Sequence, residues 1–163
     1  KTGLRIRMDN PREVGADLIA DAAAALTLYK APIIVVALGT ASAFAIISKE
    51  GEYIGGVIAP GIGISAEALY TRTAALPRVE LAKPKKAIGT NTRDAMQSGL
   101  IYGYAGLIDG IITRIQAELG EKGTVVATGG YATIIAKETK TIDEVNPNLT
   151  LIGIKIIHDM NRE

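Results

Sequence analysis

Ile33-Ile34-Val35-Val36-Ala37-Leu38-Gly39-Thr40-Ala41-Ser42-Ala43-Phe44-Ala45-Ile46-Ile47-Ser48 is a pair of apolar runs joined by a turn of small residues. Runs of this length, rich in β-branched side chains, read as strands over Ile33 to Ala37 and Ala43 to Ser48. Lys49-Glu50-Gly51-Glu52 then makes a hairpin turn into a third strand, Tyr53 to Ala59, which Pro60-Gly61 ends. This meander decides the fold class, α/β. The turn Leu38-Gly39-Thr40-Ala41-Ser42 is small enough for a backbone to approach a phosphate closely. It lacks the carboxylate that usually accompanies a phosphate and its counterion, because position 37 is Ala.

Working outward, Asp9-Asn10-Pro11-Arg12-Glu13 has the marks of a helix start, with Asn10 as cap and Pro11 in the first turn. Val14, Leu18, Ile19, Ala22, Ala25, Leu26 and Tyr29 recur at three- and four-residue steps and predict an amphipathic helix to about Lys30. After the meander, Ser65 is placed to cap a helix running to about Ala75. Residues 76–91, punctuated by Pro77, Pro84 and Gly89, form a long connection. Thr92 to Leu119 reads as a long helix capped by Asn91 or Thr92. Gly99, Gly103 and Gly106 lie in its first part, where they lower helix propensity by up to ~1 kcal/mol each and predict close helix packing in the core or at a subunit contact. A strand Thr124 to Ala127, a helix Tyr131 to Lys137 and a final helix Leu149 to Asn161 complete one domain, residues 1–163.

Composition sets outer limits. Apolar residues are 48% and charged residues 21% of 163, an ordinary globular balance. The net charge of +1 gives no reason to expect nucleic acid as a partner. With no cysteine, thiolate nucleophiles and Cys metal sites are excluded, in keeping with a reducing compartment. No run approaches a membrane span and no signal-peptide core opens the chain, so the expected location is the cytoplasm. Aromatics are only 4%, so Ala and Ile must fill the core.

Six segments, taken in order, add up to more than their parts. Asp9-Asn10-Pro11-Arg12-Glu13-Val14-Gly15-Ala16-Asp17, Gly39-Thr40-Ala41, Gly55-Gly56-Val57-Ile58-Ala59-Pro60-Gly61, Leu76-Pro77-Arg78-Val79-Glu80-Leu81, Asn91-Thr92 with Met96-Gln97-Ser98-Gly99, and Ala127-Thr128-Gly129-Gly130 resemble the type III pantothenate kinases. The resemblance implies an actin-like ATPase, ribonuclease-H-like architecture of two similar halves, this chain being the C-terminal half-domain and the N-terminal half being absent. It implies that Gly15, Ala16 and Asp17 contact pantothenate, with Asp17 as general base, and that Thr92 contacts substrate. Gly39, Thr40 and Ala41 would meet phosphate, and Gly129 and Gly130 the adenine. The residues alone leave bland readings open: Asp17 as a solvated helix residue, Thr92 as a cap, Thr128-Gly129-Gly130 as a strand-to-helix turn.

The departures share a direction. The family continues from Asp with Arg, here Leu18, and ends the strand before Gly-Thr with an Asp associated with a monovalent cation, here Ala37. Leu38 and Ala43 replace an aromatic residue and a Thr. The family uses ATP and that cation; with Ala37 the expectation is that this chain binds neither cofactor and holds no metal. As an isolated chain it is expected to be non-catalytic, since each lost phosphate-stabilising group costs at least ~2.7 kcal/mol of transition-state stabilisation. The alternatives are a kinase half needing a complementary half, or a residual nucleotide-binding or designed self-assembling module. Exchanging unpaired cleft charges for Ala and Leu would stabilise a lone half-domain, which fits an engineered derivative as well as a paralogue or fragment. A homodimer through helix 92–119 is the expected assembly.

Overall fold

The computed structural model describes residues 1–162. The meander is present as strands β2 (Ile33–Leu38), β3 (Ala41–Ile47) and β4 (Glu52–Pro60), paired antiparallel. β5 (Thr124–Thr128) adds parallel to β2. Two strands of two residues flank this core: β1 (Arg5–Ile6), parallel to β4, and β6 (Glu144–Val145), parallel to β5. Strand order is β1-β4-β3-β2-β5-β6. Neither short strand is announced by the sequence.

Helices α1 (Ala16–Leu28), α2 (Ile62–Arg72), α3 (Thr92–Leu119), α4 (Ala132–Ala136) and α5 (Leu149–Met160) cover both faces. Side chains alternate along β2, so Ile34, Val36 and Leu38 join an Ile-rich core with Leu100, Ile101, Ile108 and Ile112 of α3. Ile33 and Val35 face the other way, into a core with Ala22, Ala24 and Ala25 of α1 and Leu149 of α5. The expected sparing use of aromatics therefore has a structural counterpart: the α1 and α5 side is packed mainly with Ala, Val and Ile side chains, with Tyr53 as the buried aromatic exception. Gly153 of α5 sets how closely, because a Cβ there would stand 1.8 Å from the carbonyl oxygen of Ala20.

Two helix starts depart from the sequence reading. The segment from Pro11 is a separate 3-10 turn ending at Glu13, and extended backbone at Val14 and Gly15 precedes α1. Asn10 does cap that turn, accepting from the Arg12 amide, while its own amide donates to Glu13. Ser65 is not a cap: Gly61 takes that position, α2 begins at Ile62, and the Ser65 hydroxyl lies 2.5 Å from the Tyr104 hydroxyl. Tyr104 in turn donates to the Pro60 carbonyl, 2.7 Å away, tying α3 to the end of β4.

The long helix has the expected bounds, with Asn91 accepting from the Asp94 amide. One of its faces is core. Gly99, Gly103 and Gly106 lie on the other side, where an added Cβ would meet nothing within 4 Å, so close packing against them does not occur within this chain. The 76–91 connection is strapped across α3 and α2: Gln97 and Ser98 donate to the carbonyls of Glu80 and Ala87, and Arg78 forms two hydrogen bonds to Glu67 while stacking on Tyr70.

Candidate functional site

The alternation that sends Ile33 and Val35 toward α1 sends Ala37 there as well. Ala37 is in register with Ala43 on β3 and with Thr128 on β5. Ala43, Ala37 and Thr128 thus form one rung across three adjacent strands. Past the last core contacts of α1 this rung is not covered, and it becomes the floor of a cleft of ≈ 370 Å³, a size suited to a small molecule. Asp17 and Asp21 of α1 and Thr150 of α5 form one wall, and Gly39, Thr40, Ala41 and Gly129 form the rim.

The glycines of the two turns at the rim are of two kinds. Gly129 has φ +97, and a Cβ on it would lie 2.5 Å from the Leu38 carbonyl oxygen, so the turn after β5 can sit against the turn after β2 only without a side chain. Gly39 and Gly130 are different. Added Cβ atoms there meet nothing within 4 Å, so they leave room above the backbone and are not required by the packing.

Asp17 stands in the first turn of α1, exposed. One of its oxygens accepts from the Leu18 amide at 2.9 Å, which leaves the other available. A Cβ on Gly15 would approach that bonded oxygen to 2.7 Å, so Gly15 keeps space for the carboxylate to fold back over the helix start. Leu18 points elsewhere, packing on the core with Ile6, Met8 and Val14. Gly15 and Ala16 lie exposed beside Asp17 at the start of α1, and Gly130 lies exposed beyond Gly129. Thr92 is exposed at the start of α3 and does not line the cleft.

Asp21, Thr128 and Thr150 line the cleft and escaped the sequence reading as site residues. Asp21, one helical turn after Asp17, is only 2% exposed. The Thr150 hydroxyl donates to its Oδ1 at 2.6 Å across the close α1 and α5 crossing. Burial raises its pKa, the Thr150 hydrogen bond pulls it back, and the charge of Asp17 raises it again. The i, i+4 spacing from Asp17 was the available signal.

This shift makes a prediction. The ordinary aspartate value is 3.8, and the folded value is higher. The folded state therefore holds this proton more tightly, so the group favours folding fully below the ordinary value, and that contribution is lost as pH rises through the folded pKa. Of the other groups facing Asp21, Asp17 adds repulsion, Thr150 and Thr128 are uncharged, and no Lys or Arg lines the cleft. Asp21→Asn keeps an acceptor for Thr150 and should raise the urea midpoint relative to wild type at about pH 7, with the gap closing at about pH 3. An equal gap at both would contradict the assignment.

A sequence profile described as type III pantothenate kinase matches residues 1–114. The chain belongs to the type III pantothenate kinase family. It is 56% identical over 162 residues to the type III pantothenate kinase of Dehalococcoides mccartyi strain CBDB1, a match covering 99% of this chain and 62% of that protein. The enzyme of Moorella thermoacetica is 55% identical over 161 residues, covering 99% and 63%. The chain thus spans somewhat under two thirds of these pantothenate kinases. Among solved structures, a conserved Baf family protein of Campylobacter jejuni superposes with a TM-score of 0.66 at 24% identity, covering 96% of this chain and 68% of that one. The activator of the 2-hydroxyisocaproyl-CoA dehydratase from Clostridium difficile, with bound ADPNP, gives a TM-score of 0.50 at 12% identity, covering 90% and 70%. The fold is the actin-like, ribonuclease-H-like one that the resemblance implied. No helix among the described residues is long and apolar enough to cross a membrane.

Proposed function

We propose that these residues seat the acceptor alcohol of a pantothenate kinase, with Asp17 as the base toward pantothenate, and that alone they transfer no phosphate. The observation that carries this reading is the charge of the cleft: two carboxylates and no Lys or Arg. A free carboxylate oxygen can hydrogen-bond a hydroxyl and accept its proton. A transferring phosphoryl group needs cationic or N–H stabilisation that this lining does not supply from its side chains. Gly39, Thr40, Ala41, Gly129 and Gly130 leave room for a nucleotide at the rim, with the Thr40 hydroxyl exposed beside it. The family's monovalent cation does not fit the rung as built, because Ala43 and Ala37 present methyl groups where an acid would be needed. Thr92, away from the cleft, would reach substrate only from outside this pocket. The cytoplasm is the compartment proposed.

Incubation of the chain with ATP and pantothenate is expected to release no ADP above background. Release by the chain alone would overturn the reading. Release only on adding the remaining segment of a longer relative would favour the alternative, a complementing kinase half. A second element of the proposal, a homodimer through α3, draws on the open stripe of Gly99, Gly103 and Gly106; sedimentation as a strict monomer would remove it.

A further inference from the structure

Two polar groups of the cleft are held ready without a partner. Thr128 is 3% exposed and Asp21 2%. Oδ1 of Asp21 is taken by Thr150, whereas Oδ2 and the Thr128 hydroxyl have no hydrogen bond within the chain. No buried side-chain polar atom among the described residues is both sealed from solvent and unpaired. These two atoms must therefore touch solvent, and the cleft that both residues line is where they do so. A desolvated carboxylate oxygen and a hydroxyl held this way gain more from a fitting ligand donor than exposed groups would.

From this we infer that Asp21 and Thr128 form a specificity subsite that reads a second hydrogen-bond donor of the acceptor, a hydroxyl or an amide N–H, next to the hydroxyl held by Asp17. The inference rests on the proposed acceptor role of the cleft. Asp17 and Asp21 are i, i+4 on α1, so their Cβ atoms are about 5–6 Å apart. Two acceptors at that spacing suit a molecule whose second donor lies a few bonds from the first. Pantothenate has this pattern: its primary hydroxyl and secondary hydroxyl are separated by a dimethyl carbon, and the amide N–H follows. The Ala43 and Ala37 methyl groups offer that carbon an apolar floor. Thr150 acts as a positioning residue, holding Asp21 in the rotamer that leaves Oδ2 toward the cleft. The absence of cationic side chains makes the subsite selective for neutral donors over an anionic group.

The test is calorimetric titration of the 163-residue chain with pantothenate, with its analogue lacking the secondary hydroxyl, and with its N-methyl amide. Asp21→Asn and Thr128→Val should each weaken pantothenate binding about ten- to hundredfold, although Asp21→Asn is expected to fold more stably than wild type. One of the two analogues should bind the wild-type chain as weakly as pantothenate binds Asp21→Asn, and adding the substitution should then change nothing further. That identifies the donor being read and separates recognition from a structural effect. Wild-type binding that neither substitution weakens overturns this inference alone. Equal substitution penalties on pantothenate and both analogues overturn it too. No binding of pantothenate by the wild-type chain overturns both this inference and the acceptor reading.

Discussion

Gly153→Ala will lower the stability of the chain by about 3 kcal/mol or more, at the upper end of the usual cost of overpacking. The new methyl would be built 1.8 Å from the Ala20 carbonyl oxygen, 2.4 Å from its carbon and 2.9 Å from its Cα. No side chain can rotate out of the way, because all three atoms are backbone. α5 must move off α1, and with it goes Thr150, whose hydroxyl orders Asp21. For a chain of this size the melting temperature should fall by roughly 6–12 °C, followed by circular dichroism. Acceptor binding should be lost in parallel. An unchanged melting temperature would mean that the two helices are not in backbone contact.

Phe44→Ala is expected to cost about 3–5 kcal/mol. Phe44 is the chain's one phenylalanine and is fully buried on β3, between Val36 of β2 and Val57 of β4. Its face of the sheet packs on the isoleucines of α3. β-strand backbones cannot close the gap without breaking the ladder, so a cavity remains and the loss should sit at the high end for core truncations. Against a typical total of about 5–15 kcal/mol, this is enough to leave much of the chain unfolded at moderate urea. The midpoint of urea unfolding measures it. The cleft lies on the opposite face, so pantothenate affinity of the folded fraction should be unchanged.

What the sequence made legible was whatever has a strong local cause. The β2, β3 and β4 runs are long, apolar and separated by turn residues, and α3 has both a clear cap at Asn91 and a 28-residue span. β1 and β6 are two residues each and exist only because a parallel partner distant in the chain offers its edge. No local pattern encodes that. At the site, Asp17 and the Gly39-Thr40-Ala41 and Gly129-Gly130 turns were read from motifs, and Asp17, Gly39, Thr40, Ala41 and Gly129 line one cleft. Asp21 and Thr128 were not read as site residues, since burial and cross-strand register give them their character and neither is visible in one dimension. Leu18 shows the converse: the loss of an arginine is plain in the sequence, but that the leucine joins the core near Val14 emerges only from packing.

The two sides of the sheet also differ in how freely they can change. Around the cleft, the helix pair meets backbone to backbone, so its spacing admits almost no alternative side chains. The floor is a single rung of three residues on strands held from both neighbours, and all three line the cleft. New ligand preferences in this domain should therefore arise by exchange at positions 43, 37 and 128, each adding or removing one group without shifting the frame. The helices hold the scaffold fixed while the rung is free to vary.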